Sequence, residues 1–107
     1  MQEAKRDVFF AIADSNRRQI LRLLSDANQE EMALHEITPH LDMGRTAVSK
    51  HLRILTDADL VEKQKVGKET RYHLTPKPLE EVKDWIAFYE NFWTKKIGDL
   101  KNLLEEE

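Results

Sequence analysis

The sequence predicts a mainly helical protein with one small β-hairpin, on the basis of three observations. Apolar residues recur at helical spacing in four segments before residue 58 and again along the last third of the chain. Residues 60–66 and 69–74 alternate between apolar and polar side chains around a Gly-Lys pair, which is the pattern of a hairpin. A short turn at residues 42–44 separates the third helix from the fourth. Together these elements predict a winged helix-turn-helix.

Two helices are predicted in the N-terminal quarter of the chain. The first covers residues 4–13, whose apolar positions fall on one face, with a surplus aromatic at Phe10. The polar residues 14–16 end this helix and begin a second one, because their side chains can accept hydrogen bonds from free backbone amides. Residues 25–31 are polar and predict a loop.

The third and fourth helices form the predicted helix-turn-helix. Residues 32–34 can form a short strand or lead directly into the third helix, which covers about residues 34–41. Pro39 should shorten or bend this helix, because proline lacks an amide donor. Gly44 lies at the N-cap of the fourth helix, which extends from Arg45 to about Asp57.

The predicted hairpin is followed by one long helix. Residues 67–68 provide the left-handed turn between the two strands. The Pro-containing segment 75–78 ends the second strand, since proline cannot donate to a β-ladder. The last helix covers about residues 79–105 and would be close to 40 Å long.

Composition predicts a single soluble domain over residues 1–107. The chain is 40% hydrophobic and 35% charged, which is typical of a globular protein with a heavily charged surface. It has no apolar run of the ~18 residues that a membrane span needs, and its N-terminus lacks the apolar core of a signal peptide. We therefore expect a cytoplasmic protein. With no cysteine, disulfides and thiolate metal sites are excluded.

Positive charge is concentrated in the middle of the chain. The net charge is −3, but residues 44–75 carry seven Lys or Arg and four Asp or Glu. Residues 1–43 and 76–107 each carry five basic and eight acidic side chains. A polyanion would therefore approach the helix and hairpin of the middle third and be repelled elsewhere.

The fourth helix carries the side chains of a DNA-reading surface. Its apolar stripe leaves five polar side chains on the opposite side, and no acid occurs from residue 43 to residue 56. Arg45 has the guanidinium fork that matches the O6 and N7 acceptors of guanine, so it is the expected reader of sequence. The whole set, called the recognition face below, is Arg45, Thr46, Ser49, Lys50 and Arg53.

The hairpin adds a second basic surface. Its side chains can meet phosphate or the minor groove but lack the planar match to base edges that sequence reading needs. The predicted contacts to double-stranded DNA on this wing are Lys63, Lys65, Lys68 and Arg71.

The last helix has an apolar face longer than a core of this size can cover. The face is rich in aromatic residues, as the centres of protein interfaces are. Packing onto the protein's own first helix is one explanation, and a two-fold homodimer that reads a palindrome is the other. The predicted interface residues on this helix are Leu79, Val82, Trp85, Ile86, Tyr89, Phe92, Trp93, Ile97 and Leu100.

Several separated motifs give the chain a resemblance to a known family. The motifs are DSNRRQIL at 14–21, AVSKHLRIL at 47–55, ADLV at 58–61, and Gly67-Lys68 leading to YHL at 72–74. In this order they resemble the ArsR-type winged-helix transcriptional repressors. The resemblance implies five helices with the hairpin between the fourth and fifth, and a homodimer formed through the first and last helices. It thereby adds Phe9 and Phe10 to the expected interface.

The chain departs from the metal-sensing members of that family. Those members use a Cys-x-Cys-type motif on the third helix or paired Asp/His ligands on the last one, whereas here cysteine is absent and the last helix has no histidine. His35 and His40 are five residues apart, which places them about 140° apart around a regular helix and prevents them from sharing an ion. His51 is interpreted as a packing and capping residue. We therefore predict no metal and no cofactor, and the sequence identifies no effector.

Besides DNA binding, the sequence bears on two other classes of function, an enzyme and a protein adaptor. An enzyme is not predicted, because the chain has only three glycines, no phosphate loop, and no nucleophile that can be placed beside a base. A winged-helix adaptor, whose aromatic last helix binds another polypeptide, is the alternative function. Salt separates the two, since DNA binding weakens steeply with salt and an apolar contact hardly responds.

Overall fold

The secondary structure follows the predicted order. The structure is a computed structural model that describes residues 7–26 and 31–105. Helix α1 ends two residues earlier than predicted. Its predicted start at residue 4 lies outside the described residues, as do residues 27–30 of the predicted loop. The described elements are α1 (Val8–Ala11), α2 (Ser15–Asp26), β1 (Met32–Ala33), α3 (Leu34–Ile37), a 3-10 turn (Thr38–His40), α4 (Arg45–Asp57), β2 (Val61–Val66), β3 (Glu69–Leu74) and α5 (Leu79–Glu105).

Asp14 is the reason that α1 and α2 are separate helices. Its carboxylate accepts hydrogen bonds from the backbone amides of Asn16 at 2.9 Å and Arg17 at 3.1 Å. Two of the amides at the start of α2 that have no partner within the helix are thus satisfied, as the sequence predicted. The chain must turn after Ala11 to bring Asp14 into this position, which explains the early end of α1.

The predicted shortening of the third helix is confirmed. Helix α3 has a single turn, and the chain continues as a 3-10 turn in which Pro39 lies among the first two residues. The preceding residues 32–33 form a strand, which decides between the two possibilities that the sequence left open. Helix α4 then begins after Gly44 and ends at Asp57, as predicted.

The hairpin is the larger part of a three-stranded antiparallel sheet. Strands β2 and β3 pair in register from Val61 opposite Leu74 to Val66 opposite Glu69. Gly67 has φ of +65°, a left-handed conformation that glycine adopts without strain, and so it allows the tight turn. Strand β1 pairs with the edge of β3 that faces away from β2, so β3 is the central strand and the order is β1-β3-β2. The sheet therefore joins the wing to the segment that enters α3.

The core lies between α2, α3, α4 and the beginning of the wing. Burying each of its aliphatic side chains contributes about 1.5–3 kcal/mol relative to exposure. Because α4 contributes three of them from one face, its opposite face is fixed toward solvent. The largest fully buried side chains are Ile20, Ile37, Val48, Leu52, Leu55, Leu60 and Val61.

Helix α5 contacts the rest of the chain near its beginning. Leu79 and Val82 pack against the core, and the ring of Trp85 meets that of Phe9 edge to face at 5.6 Å between centroids. None of its residues is buried. Neither α5 nor any other helix in the described ranges has the length and apolar character that a membrane crossing requires.

Candidate nucleic-acid interface

The recognition face lies on the solvent side of α4. Val48, Leu52 and Leu55 anchor the helix, with at most 1% of each side chain surface exposed. All five side chains of the recognition face are exposed. They occupy positions one and two helical turns apart, so they form one continuous strip of three cationic and two hydroxyl side chains. An α-helix with such a strip can enter a major groove.

The beginning of α4 is suited to an anion as well. Gly44 has extended backbone, with φ of −83° and ψ of 173°, and provides no side-chain cap for the helix. The first amides of a helix point along its axis and carry the positive end of its dipole. A DNA phosphate can therefore be held at this end while Arg45 and Thr46 extend beside it.

Three lysines of the predicted wing surface are exposed. Lys63 and Lys65 lie on β2 with one residue between them, so their side chains leave the same face of the strand. Lys68 lies in the turn at the tip of the hairpin. A flexible ammonium group at each position can bind a phosphate as a point charge.

The prediction for Arg71 is wrong about its surroundings. Its side chain, 20% exposed, is directed into the sheet and α3 instead of toward solvent. The guanidinium donates to Glu69 Oε1 at 2.8 Å, to Glu36 Oε1 at 3.1 Å and to the backbone carbonyl of Glu31 at 3.1 Å. The hydrogen bond to Glu69, together with the nearby carboxylates, raises the pKa of Arg71. Arg71 therefore joins the wing to the helix-turn-helix, and three of its five N–H donors are used in these bonds.

Two histidines on this side of the protein lie beside carboxylates, and His73 has a second one, with Nδ1 4.0 Å from Glu31 Oε2. His35 Nε2 lies 2.7 Å from Glu69 Oε2, and His73 Nε2 lies 3.1 Å from Glu62 Oε1. The hydrogen bonds from His35 and Arg71 hold the pKa of Glu69 below its ordinary value of 4.5. His40 belongs to the 3-10 turn beyond the end of α3, so it does not share a regular helix with His35. In residues 7–26 and 31–105, no three His, Cys, Asp or Glu side chains are grouped to hold a metal ion.

Comparison with known proteins identifies the family. The sequence profile of the bacterial regulatory proteins of the arsR family matches residues 14–63, from the cap of α2 into the wing. The transcriptional repressor SdpR of Bacillus subtilis is 32% identical over 94 residues, which is 88% of this chain and 98% of the repressor. The chain belongs to the ArsR family. It is thus a transcriptional regulator with a winged helix-turn-helix DNA-binding domain.

Solved structures agree with this assignment. An ArsR-like transcriptional regulator from Rhodococcus sp. RHA1 superposes with a TM-score of 0.72 at 29% identity, over 94% of this chain and 90% of that one. A homodimeric winged helix-turn-helix DNA-binding domain from Mycobacterium bovis superposes with a TM-score of 0.61. That domain is 24% identical, with 84% of this chain and 81% of the other covered, and supports the fold alone.

The sequence analysis did not identify Arg17, which lies beneath α4 of this ArsR-family protein. Only 8% of its surface is exposed, and its guanidinium lies 3.3 Å from His51 Nδ1 on α4. A signal was available. Arg17 precedes the buried Ile20, Leu21 and Leu24 by three, four and seven residues, so the spacing places it on the buried stripe of α2.

The apolar face of α5 remains largely uncovered. Leu79 and Val82, predicted at a dimer interface, are partly buried and pack against the core of the same chain. The explanation that α5 packs on α1 therefore holds for its first turns. Phe9 is half-buried and Phe10 is exposed. The exposed large apolar side chains of the helix are Trp85, Ile86, Phe88, Tyr89, Phe92, Trp93, Ile97, Leu100, Leu103 and Leu104.

Proposed function

We propose that this ArsR-family protein is a homodimeric repressor that binds a palindromic DNA operator. The observation that carries the proposal is the exposed recognition face, which no acid interrupts between Asp42 and Asp57. A surface with three cations and no acid attracts a polyanion, while the acidic flanks of the chain discourage DNA from binding elsewhere. The relative SdpR is itself a transcriptional repressor.

Within the recognition face, the residues at the start of α4, up to Ser49, read sequence, and the residues after them bind the DNA backbone. Arg45 forms a bidentate contact to guanine, for which its planar fork is matched. Thr46 and Ser49 are short, so the helix backbone can approach the bases closely, and they contact a thymine methyl or a phosphate. Lys50 and Arg53 bind phosphates, and the wing lysines add contacts that carry no sequence information.

The second copy of the chain covers the apolar face of α5. The seven predicted interface residues from Trp85 to Leu100 are about half exposed. With about 150–250 Å² for each side chain, the uncovered surface is roughly 700 Å² per protomer, close to the ~800 Å² per partner of a standard interface. Phe10 of α1 extends this surface. The Mycobacterium bovis neighbour, which shares the fold, is itself described as homodimeric.

A two-fold dimer determines the form of the operator. Two recognition helices related by a two-fold axis reach successive major-groove segments about 34 Å apart on one face of the duplex. The two half-sites must then be inverted copies of each other. We expect one protomer for each half-site.

Selection of bound DNA from a random pool with the purified protein tests this function. The expected result is a palindrome whose binding weakens steeply as salt rises. The selection is repeated with added zinc and with a chelator, and no change is expected. Recovery of no preferred sequence refutes the proposed function. If the protein does not bind DNA even at low salt, the alternative function holds, in which α5 binds another polypeptide.

Arg45→Ala tests whether Arg45 contacts a base of the selected operator. Loss of a bidentate contact should cost about 1–3 kcal/mol on the operator and relax the preference at one symmetric pair of positions. Arg53→Ala is the matched control, because removal of a phosphate contact should weaken operator and random DNA alike. If Arg45→Ala weakens both DNAs by the same factor, Arg45 is a phosphate contact and not a reader.

A further inference from the structure

Arg17 is a buried cation whose donors are directed at three different groups. Its Nε donates to the carbonyl of Ala11 at 2.7 Å and its Nη2 donates to the carbonyl of Phe10 at 3.1 Å. Its Nη1 lies 3.3 Å from His51 Nδ1. A guanidinium can only donate, so Nδ1 must accept and the proton of the neutral ring lies on Nε2. A buried charge persists only when it is paired or hydrogen-bonded, and here two contacts lead to α1 and one leads to α4.

These contacts connect the dimer side of the subunit to its DNA side. The carbonyls of Phe10 and Ala11 are at the end of α1, and the neighbouring Phe9 contacts Trp85 on α5. His51 is on α4, directly after Lys50 of the recognition face. One rigid, planar guanidinium therefore spans the distance from α1 to α4, with Asp14 Oδ2 3.9 Å from the same His51 nitrogen.

We propose that Arg17 is a positioning residue, which holds α4 at a fixed angle to the dimerisation helices and thereby sets the half-site spacing that the dimer accepts. This inference rests on the proposed homodimeric function. A rotation of α4 within one subunit is repeated in the other by symmetry, so it changes the separation of both recognition helices at once. Specific binding needs both helices in register with the grooves, whereas non-specific binding needs only phosphate contacts.

The test compares variants that keep or remove the acceptor at His51. His51→Leu removes the acceptor, and His51→Asn restores an oxygen close to the position of Nδ1. Arg17→Lys keeps the charge but loses the planar fork. Arg18→Lys is the matched control, because Arg18 also caps this turn, with Nη1 2.8 Å from the carbonyl of Ile12, but it is exposed and its hydrogen bond does not reach α4.

Two measurements are made on each variant: DNA selection with half-sites at varied spacing, and the distance between the two α4 helices in the free dimer. Since the chain has no cysteine, Ser49→Cys gives one nitroxide per protomer for pulsed electron paramagnetic resonance. We expect Arg17→Lys and His51→Leu to broaden both the distance distribution and the accepted spacing. The operator affinity should fall at least tenfold, and binding to random DNA should change less than threefold. His51→Asn and Arg18→Lys should match the parent protein.

The outcomes separate this inference from the proposed function. If the parent dimer selects an operator and His51→Leu changes neither the spacing nor the distance distribution, the role of Arg17 is refuted alone. If His51→Leu lowers operator affinity and broadens the accepted spacing, and His51→Asn shows the same change, the role of Arg17 is refuted as well. If Arg17→Lys fails to fold, the two His51 variants still decide. A parent protein that gives no distance between labels is a monomer, and then the proposed dimer and this inference are refuted together.

Discussion

Trp93→Ala should dissociate the proposed dimer without unfolding the subunit. Trp93 is 60% exposed and lies two turns beyond Trp85, the residue of α5 whose ring meets Phe9. The ring of Trp93 meets that of Phe92 on the same helix at 5.9 Å, so truncation of Trp93 leaves the contact between α5 and α1 at Trp85 in place. A substitution at Trp85 would change the stability of the subunit as well as dimer formation, because Trp85 contacts α1.

The magnitude follows from the exposed area. About 60% of a tryptophan surface near 250 Å² is ~150 Å², which at about 25 cal/mol per Å² is worth ~4 kcal/mol. The residue occurs twice in a symmetric dimer, which gives an upper value of ~8 kcal/mol. Buried area converts only partly into affinity, so we expect the dissociation constant of the dimer to rise about 100-fold.

Sedimentation across a concentration series measures this constant, and circular dichroism checks that the helices remain. Phe88→Ala is the matched control. Phe88 is 68% exposed and lies about 140° around the helix from Trp93, at the margin of the predicted interface, where its ring meets that of Tyr89 at 5.1 Å. We expect it to change the constant less than threefold. Equal dissociation constants for Trp93→Ala and the parent protein would refute the reasoning, and a larger effect of Phe88→Ala would place the interface on the other side of α5.

Three further substitutions test the wing and the cap of α2. Lys68→Ala should weaken binding equally on operator and random DNA and lower the salt slope by roughly two counterions per dimer; a changed sequence preference at an unchanged slope would contradict this. Arg71→Met should leave the salt slope unchanged but lower the melting temperature, because its donors bind Glu36 and Glu69 rather than phosphate; a reduced slope would place Arg71 on the DNA. Asp14→Ala should cost about 1 kcal/mol of unfolding free energy in urea titrations near neutral pH. Burial tends to raise the pKa of Asp14, but the hydrogen bonds from the amides of Arg17 and Asn16 and the positive charge of Arg17 outweigh it and hold the pKa below its ordinary 3.8. The contribution of the carboxylate is then present above pH 3.8 and is lost as pH falls through the lowered pKa. A difference from the parent that stays constant to pH 2 would show that the charge of Asp14 is irrelevant.

The elements of the fold were predictable because they depend on neighbours along the chain. Helical spacing fixed the bounds of α4 and α5 and the exposed side of the recognition face. The glycine at residue 67 located the hairpin turn, and Pro39 explained the short third helix. Each of these signals acts over a few residues, so the linear pattern carries them fully.

The partners of the charged side chains were decided by the tertiary structure. On its strand, Arg71 is one more basic side chain of the wing, and only the pairing of β1 with β3 brings Glu31 and Glu36 to it from 35 to 40 residues away. Arg17 likewise meets His51 across 34 residues. Periodicity states which side of an element is buried, but the partner of a charge depends on distances in space. Those distances are set when the core packs α2, α3, α4 and the sheet together.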